Sequence, residues 1–236
     1  MSEGIMHADA RSESPSPPPA AVDHVLIAVA DLAEGARRLE AEYGLHALPG
    51  GRHPGVGTAN MIVPLGSDYL ELIAIVDRDE AGRAPTSRRI ARALADGCTF
   101  ATWAVRTTDL GALRTRLLKN GWKLPEPSSG SRVRPDGITL RWRTLFLAPV
   151  DEPGVLPFVI EWSVPPGMHP GEMAAVHASG SKGIGLVRLG DPDPAAAADR
   201  LRALLGPDAR VAVERAETSG VLAVELNTPT GKITVR

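Results

Sequence analysis

Apolar residues recur along this chain with two different periods, and the order in which the periods alternate repeats. From Val22, the run VDHVLIAVA has the β-branched content and the length of a buried strand. Asp31 and Glu34 then form a capping-box pattern, and Leu32, Ala36, Leu39 and Tyr43 share one face at helical spacing. Gly44 stands where such a helix closes. A Gly- and Pro-rich loop, PGGRHPGVG, leads to the strands TANMIVPL and DYLELIAIV, with Gly66 and Ser67 as the turn between them.

Near Cys98 the order restarts. CTFATWAVR reads as a strand, Thr108 and Asp109 as a cap, and Leu110, Leu113 and Leu117 as the apolar stripe of a helix ending at Asn120 and Gly121. A polar loop, EPSSGSRVRPDG, precedes the strands ITLRWRTLFLAP and LPFVIEWSV. Asp31 lies seven residues after His24 and Asp109 seven after Thr102, so the two starts superimpose without a gap. The spacing predicts modules over 22–77 and 99–164. A third echo follows, with GIGLVRL as a strand, a helix from Pro192 to Leu205 ended by Gly206, and then ARVAVERA, GVLAVEL and GKITVR, with turn residues at Asn227, Thr228 and Pro229. Repetition at about 80 residues is the main organising signal. The turn-rich PPGMHPGEMAAVHASGSKG separates the second and third units as a loop or linker, a candidate domain boundary.

Composition narrows the function classes. Of 236 residues, 43% are hydrophobic and 23% charged, which supports a globular core. The first twenty-one, rich in Ser and Pro and including His7, have no apolar periodicity and are expected to be a disordered tail. A net charge of -2 offers no basic field for nucleic acid. No apolar run is long enough to span a bilayer and no signal-peptide order opens the chain, so no membrane partner is expected. The single cysteine, Cys98, fits a reducing, cytoplasmic setting.

The segment from Val22 to Val76, with Asp23-His24 at the head of its first strand, the ADL cap, GRHPGVGTAN and YLELIAI, resembles the opening module of vicinal-oxygen-chelate proteins, in the branch of glyoxalase-like domain proteins. The likeness continues through FATWAVRTTDL, GSRVRPDGITLRWR and LPFVIEWS to His169 and Pro170, and covers about 22–170; the third unit, 171–236, resembles the module only in its element order. It implies an α+β fold of repeated βαβββ modules, that of glyoxalase, bleomycin resistance protein and dihydroxybiphenyl dioxygenase. Two curved sheets would enclose a small-molecule cavity, often with a divalent metal at its floor.

In members that carry a metal, the first and last strand of each module each give one ligand. His24 and Glu71 sit at those places in module one, and alternation puts His24, Leu26 and Ala28 on one strand face and Tyr69, Glu71 and Ile73 on another. A carboxylate in the middle of LELIAI is costly to bury without a cation, proton or donor, unless the strand lies at an edge with Glu71 in water. For His24 alone, a structural histidine is the competing assignment. Thr102 stands where module two would bring its second histidine, and Glu161 in FVIEWSV is expected to match Glu71. The inferred metal set is therefore His24, Glu71 and Glu161, for Mn²⁺, Fe²⁺, Zn²⁺ or Mg²⁺. His53 and His169 are candidates to complete it or to act as acid or base, against a role as loop residues bonded to backbone.

Glu71, Glu161 and His53 are the candidate catalytic groups, and Arg132, Arg141, Tyr69 and Thr102 the candidate substrate contacts. Guanidinium groups at a cavity mouth would take an anionic substrate, although Arg141 and Arg143 alternate as a solvated strand face would. Trp103 and Trp162 are out of phase with Thr102 and Glu161 and are expected in the core against helices. Gly55, Gly57 and Asn60 suggest a backbone turn near the cavity, and the loop lacks the strand and helix context of a nucleotide fingerprint, so no nucleotide cofactor is expected.

Two functions follow. One is a metal-assisted enzyme of lyase, isomerase or dioxygenase type acting on a small oxygenated metabolite. The other is a metal-free sequestering protein of the bleomycin-resistance type, which Thr102 favours. A homodimer is open in either.

Overall fold

The computed structural model describes residues 20–149, 152, 154–206 and 210–236. The expected tail, apart from Ala20 and Ala21, lies outside the described residues, as does His7. The chain runs β1 (Ala21–Ala28), α1 (Leu32–Tyr43), β2 (Leu48–His53), β3 (Thr58–Pro64), β4 (Tyr69–Ile75), α2 (Arg78–Arg83), α3 (Pro85–Ala95), β5 (Phe100–Arg106), α4 (Leu110–Lys119), β6 (Ser128–Val133), β7 (Thr139–Phe146) and β8 (Phe158–Trp162). After a single 3-10 turn come β9 (Ile184–Asp191), α5 (Pro194–Leu205), β10 (Val211–Arg215), β11 (Gly220–Thr228) and β12 (Gly231–Val235).

Eight strands close a barrel in the order β1-β4-β3-β2-β6-β7-β8-β5. Each half has the same internal order, with its first strand parallel to its fourth, as in His24 beside Tyr69 and Ala104 beside Phe158. The halves meet antiparallel along β1 and β5, and β2 meets β6 at Arg52 and Val133. The expected α+β fold with repeated modules is the one seen. The helix signals also act as expected: the Asp31 and Asp109 side chains accept from the backbone of Glu34 and Ala112, and Gly44 takes the left-handed conformation at φ 61°. Leu110, Leu113 and Leu117 of α4 are fully buried, each burial stabilising by about 1.5–3 kcal/mol.

Two stretches expected as loops contain strands. PGGRHPGVG holds β2 and EPSSGSRVRPDG holds β6. Two of their glycines answer to side chains from neighbouring strands, since a Cβ on Gly50 would lie 2.0 Å from Asn60 Oδ1 and one on Gly130 would lie 2.4 Å from Trp142 Nε1, whereas Gly55, Gly57 and Gly137 do serve turns with φ of 75°, 72° and 82°. The helices α2 and α3 carried no strong apolar stripe. Only Ser87, Ile90 and Ala93 of α3 are buried, between arginines. Ile90 and Ala93 close an apolar cluster with Leu26, Ala28 and Ile73.

The third unit keeps the order strand, helix, three strands, but its sheet runs β10-β9-β11-β12. Its first strand pairs in parallel with its second, unlike either half of the barrel. It packs beside the barrel in one continuous core that joins Val187, Leu189 and Leu204 to Val105 and Leu113. Buried Asp68 accepts from Ile184 N–H at 2.9 Å, and Arg116 donates to the carbonyls of Ala203 and Leu204 near the end of α5. The connection from 165 to 183 is pinned to module one: His177 Nδ1 accepts from His46 N–H, its Nε2 donates to Pro64 O, and Gly66 N–H donates to Gly171 O. Among the described residues, no helix is long and apolar enough to cross a membrane.

Candidate functional site

A cavity of about 400 Å³ occupies the barrel. His24 and Leu26 of β1, Tyr69, Glu71 and Ile73 of β4, and Phe158, Ile160 and Trp162 of β8 line it at the two-residue period of strands, while Thr86, Arg89 and Ile90 of α3 cover one side. The phase expected for module one therefore holds.

Module two differs from expectation by one position. Phe158, Ile160 and Trp162 face the cavity, so Glu161 faces out. Its Oε1 accepts from Leu110 N–H at the start of α4 at 3.0 Å, and its Oε2 pairs with Arg143 at 2.7 and 2.5 Å. Both faces of β8 are at least partly buried, one lining the cavity and one beside α4, so apolar alternation does not mark which is inward. Glu161 is a helix-capping carboxylate, and neither a cavity ligand nor a catalytic group in this arrangement. Trp162, expected in the core against helices, lines the cavity with Trp142; Trp103 does lie in the core, its Nε1–H donating to Val155 O.

Three imidazoles and two carboxylates are organised around His24. Asp23, fully buried at a register shift of β1, accepts from His24 Nδ1 at 2.6 Å, from His169 Nε2 at 3.0 Å and from Trp162 Nε1 at 3.3 Å. Burial would raise its pKa, but the hydrogen bonds from His169 and His24 outweigh this and hold the carboxyl well below the ordinary range. An ionised Asp23 can only accept, so His24 carries a proton on Nδ1 and turns Nε2 to the cavity. His169 thus lies behind the site as a partner of Asp23.

His24 Nε2 faces Glu71 Oε2 at 3.4 Å. Glu71, only 6% exposed, accepts from Asn60 Nδ2 at 2.6 Å through Oε1. The same amide lies 3.5 Å from His53 Nε2, and His53 Nδ1 is 2.9 Å from Thr58 Oγ1. Burial pushes the His53 pKa below its ordinary value, favouring a neutral ring that accepts at Nε2 and donates from Nδ1. Tyr69 stacks on His24 with ring centroids 4.5 Å apart. Burial, reinforced by Glu71 and Asp23, pushes its phenol well above the usual value, so it remains an O–H donor.

On the opposite wall, Arg132 is 2% exposed and donates from Nη1 to Asn60 Oδ1 at 3.2 Å. Arg141 borders the cavity from an exposed position. Thr102 Oγ1 accepts from Arg89, which also donates to the carbonyls of Pro149 and Glu152 and so ties α3 to the loop before β8. Sequence reasoning missed Asp23 and Arg89 as parts of the site, and it put Asn60 near the cavity but in a backbone turn, whereas Asn60 lies within β3 and acts through its side chain. For Asp23 the adjacent Asp-His pair was an available signal; Arg89 had none, since α3 carries its few buried residues between arginines.

The residues do not fit the four-ligand metal ring that the resemblance implied. Module one brings His24 and Glu71 together, but the first and last strands of module two turn Thr102 and Ile160 inward. Among the described residues, no group of three or more His, Cys, Asp or Glu has a metal-holding arrangement.

Comparison with known proteins bears on the same region. A family profile described as "Glyoxalase-like domain" matches residues 22–205, from β1 to the end of α5. No curated protein matches the chain. A hypothetical protein from Staphylococcus aureus, 15% identical, superimposes with a TM-score of 0.70 over 87% of this chain and 90% of its own. A Streptomyces coelicolor methylmalonyl-CoA epimerase variant in complex with 2-nitronate-propionyl-CoA, 22% identical, aligns over 62% of this chain and 100% of its own at a TM-score of 0.47. A Mycobacterium tuberculosis methylmalonyl-CoA epimerase, 24% identical, aligns over 64% and 94% at 0.45. At these identities the likeness concerns the fold alone.

Proposed function

Because the chain belongs to the glyoxalase-like domain family, we propose that it binds a small oxygenated metabolite in the barrel cavity and moves a proton on it with the His24–Glu71 pair, as an isomerase- or lyase-type enzyme. The observation that carries this reading is His24 Nε2 facing Glu71 Oε2 at 3.4 Å with ionised Asp23 behind the ring. At that distance a proton can pass between the imidazole nitrogen and the carboxylate.

The chemistry suited to such a pair is proton removal from a carbon next to a carbonyl. Glu71 takes the proton as the C–H bond breaks, and the electron pair moves onto the carbonyl oxygen. The Tyr69 hydroxyl, which has no protein partner among the described residues, donates to the developing oxyanion. The proton then returns to carbon, on the other face or at a neighbouring atom, with His24 sharing it with Glu71. Asp23 orients the ring and fixes its tautomer, and Asn60 fixes Glu71. No step passes through a metal, because module two supplies no ligand for one.

The test is solvent exchange in D₂O, followed by proton NMR, with a panel of small carbonyl compounds bearing an acidic C–H. Wild type should wash deuterium into at least one compound class and Glu71→Gln should not. Saturable binding with no exchange in any class would instead favour the sequestering function, for which Thr102 and Ile160 in place of ligands are the supporting observation.

A further inference from the structure

Arg132 is among the largest fully buried side chains of the molecule, yet it lines the cavity. A guanidinium has five N–H donors. Among the described residues this one makes a single hydrogen bond, to Asn60 Oδ1, and no carboxylate pairs with it. A buried cation without a paired anion is costly. Its nearest acid on the cavity wall is Glu71, and Asn60 stands between them. Its amide oxygen accepts from Arg132, and its nitrogen donates to Glu71. That amide orientation is fixed, since arginine only donates and a carboxylate accepts. Asn60 thus holds cation and base as two separate points. Gly50 leaves the room for this: a Cβ there would lie 2.0 Å from Asn60 Oδ1 and 2.5 Å from Arg132 Nη1.

We propose that Arg132 is a carboxylate-binding subsite, which takes an organic acid group of the substrate and sets the neighbouring carbon within reach of Glu71. The ligand class is a small organic monoanion. A guanidinium matches a carboxylate with two parallel hydrogen bonds. One cation neutralises one negative charge, whereas a phosphate dianion beside Glu71 would leave excess charge in a cavity walled by Leu26, Ile73, Ile90, Phe146 and Ile160. Arg89, the other guanidinium deep in the wall, is engaged with Thr102 and two carbonyls. What lies next to the acid group rests on the proton-transfer reading; the binding of the acid group does not.

The protein is titrated separately with propionate, lactate and inorganic phosphate, following heat and the fluorescence of Trp142 and Trp162. Propionate and lactate should saturate one site, Arg132→Gln should weaken both at least ten-fold, and Glu71→Gln should bind them no more weakly than wild type. Should Arg132→Gln fail to fold by near-ultraviolet circular dichroism, Gly50→Ala replaces it, with a loss of at least five-fold expected. The proposal is overturned if neither carboxylate saturates, if phosphate saturates and they do not, if Glu71→Gln abolishes carboxylate binding, or if the folded variant binds within two-fold of wild type. Carboxylate binding that depends on Arg132 without deuterium exchange would sink only the proton-transfer reading, and exchange without Arg132-dependent binding only the subsite.

Discussion

Module one turns His24, Tyr69 and Glu71 into the cavity from its first and last strands, while module two turns Thr102, Phe158 and Ile160 inward from the same places. The strand orders are identical and the aspartate N-caps of the two helices are equivalent. A duplicated backbone has thus been divided into a wall that can exchange a proton and a wall that is mostly shape, with Arg132 of β6 as the buried cation facing the first. The difference teaches that symmetry of fold does not carry symmetry of chemistry, since a strand position fixes only where a side chain points.

The comparison breaks most readily at Glu71. If module one alone holds the base, Glu71→Gln lowers deuterium exchange by about 10²–10⁴-fold, with the protein still folded by circular dichroism. A loss below ten-fold would show that the base lies elsewhere. Restoring the symmetry is the next test. The double variant Thr102→His with Ile160→Glu places donors where module two lacks them, and calorimetry should find it binding Mn²⁺ or Zn²⁺ at one equivalent, about 10–100-fold tighter than wild type. Equal affinity would show that the two walls do not converge on a common point.

Smaller effects sharpen the contrast between carboxylates. Asp23→Asn removes charge-assisted hydrogen bonds to His24 and His169 and should cost about 2 kcal/mol at pH 7. Because the folded pKa of Asp23 is depressed, its contribution is fully present above the ordinary carboxylate value of about 4 and is lost as pH falls through the folded value. Thermal melts should therefore show the gap between wild type and variant shrinking in acid; a gap that widens would contradict the assigned ionisation. Glu161→Gln should have the smallest effect, about 1 kcal/mol through the lost α4 contact and the Arg143 pair, with carboxylate binding and exchange unchanged. A change in either would mean that Glu161 communicates with the cavity after all.

By itself, the sequence determined which segments are strands and helices where periodicity was strong, the doubling of the strand–helix–strands order, and the inward face of module one. Glu71 was legible because a carboxylate amid leucine and isoleucine conflicts with burial unless it has a use, and His24 only through the resemblance, which places a ligand on the first strand. Tertiary structure decided the rest. The inward face of β8 depended on α4 covering its other side, so an alternating pattern buried on both faces left Glu161 and Trp162 indistinguishable in direction. β2 and β6 looked like loops because Gly50 and Gly130 answer to Asn60 and Trp142, side chains of other strands. The pairing of β9 with β10 rather than β12 lay outside any local pattern, because element order along a chain does not specify which strands become neighbours in a sheet.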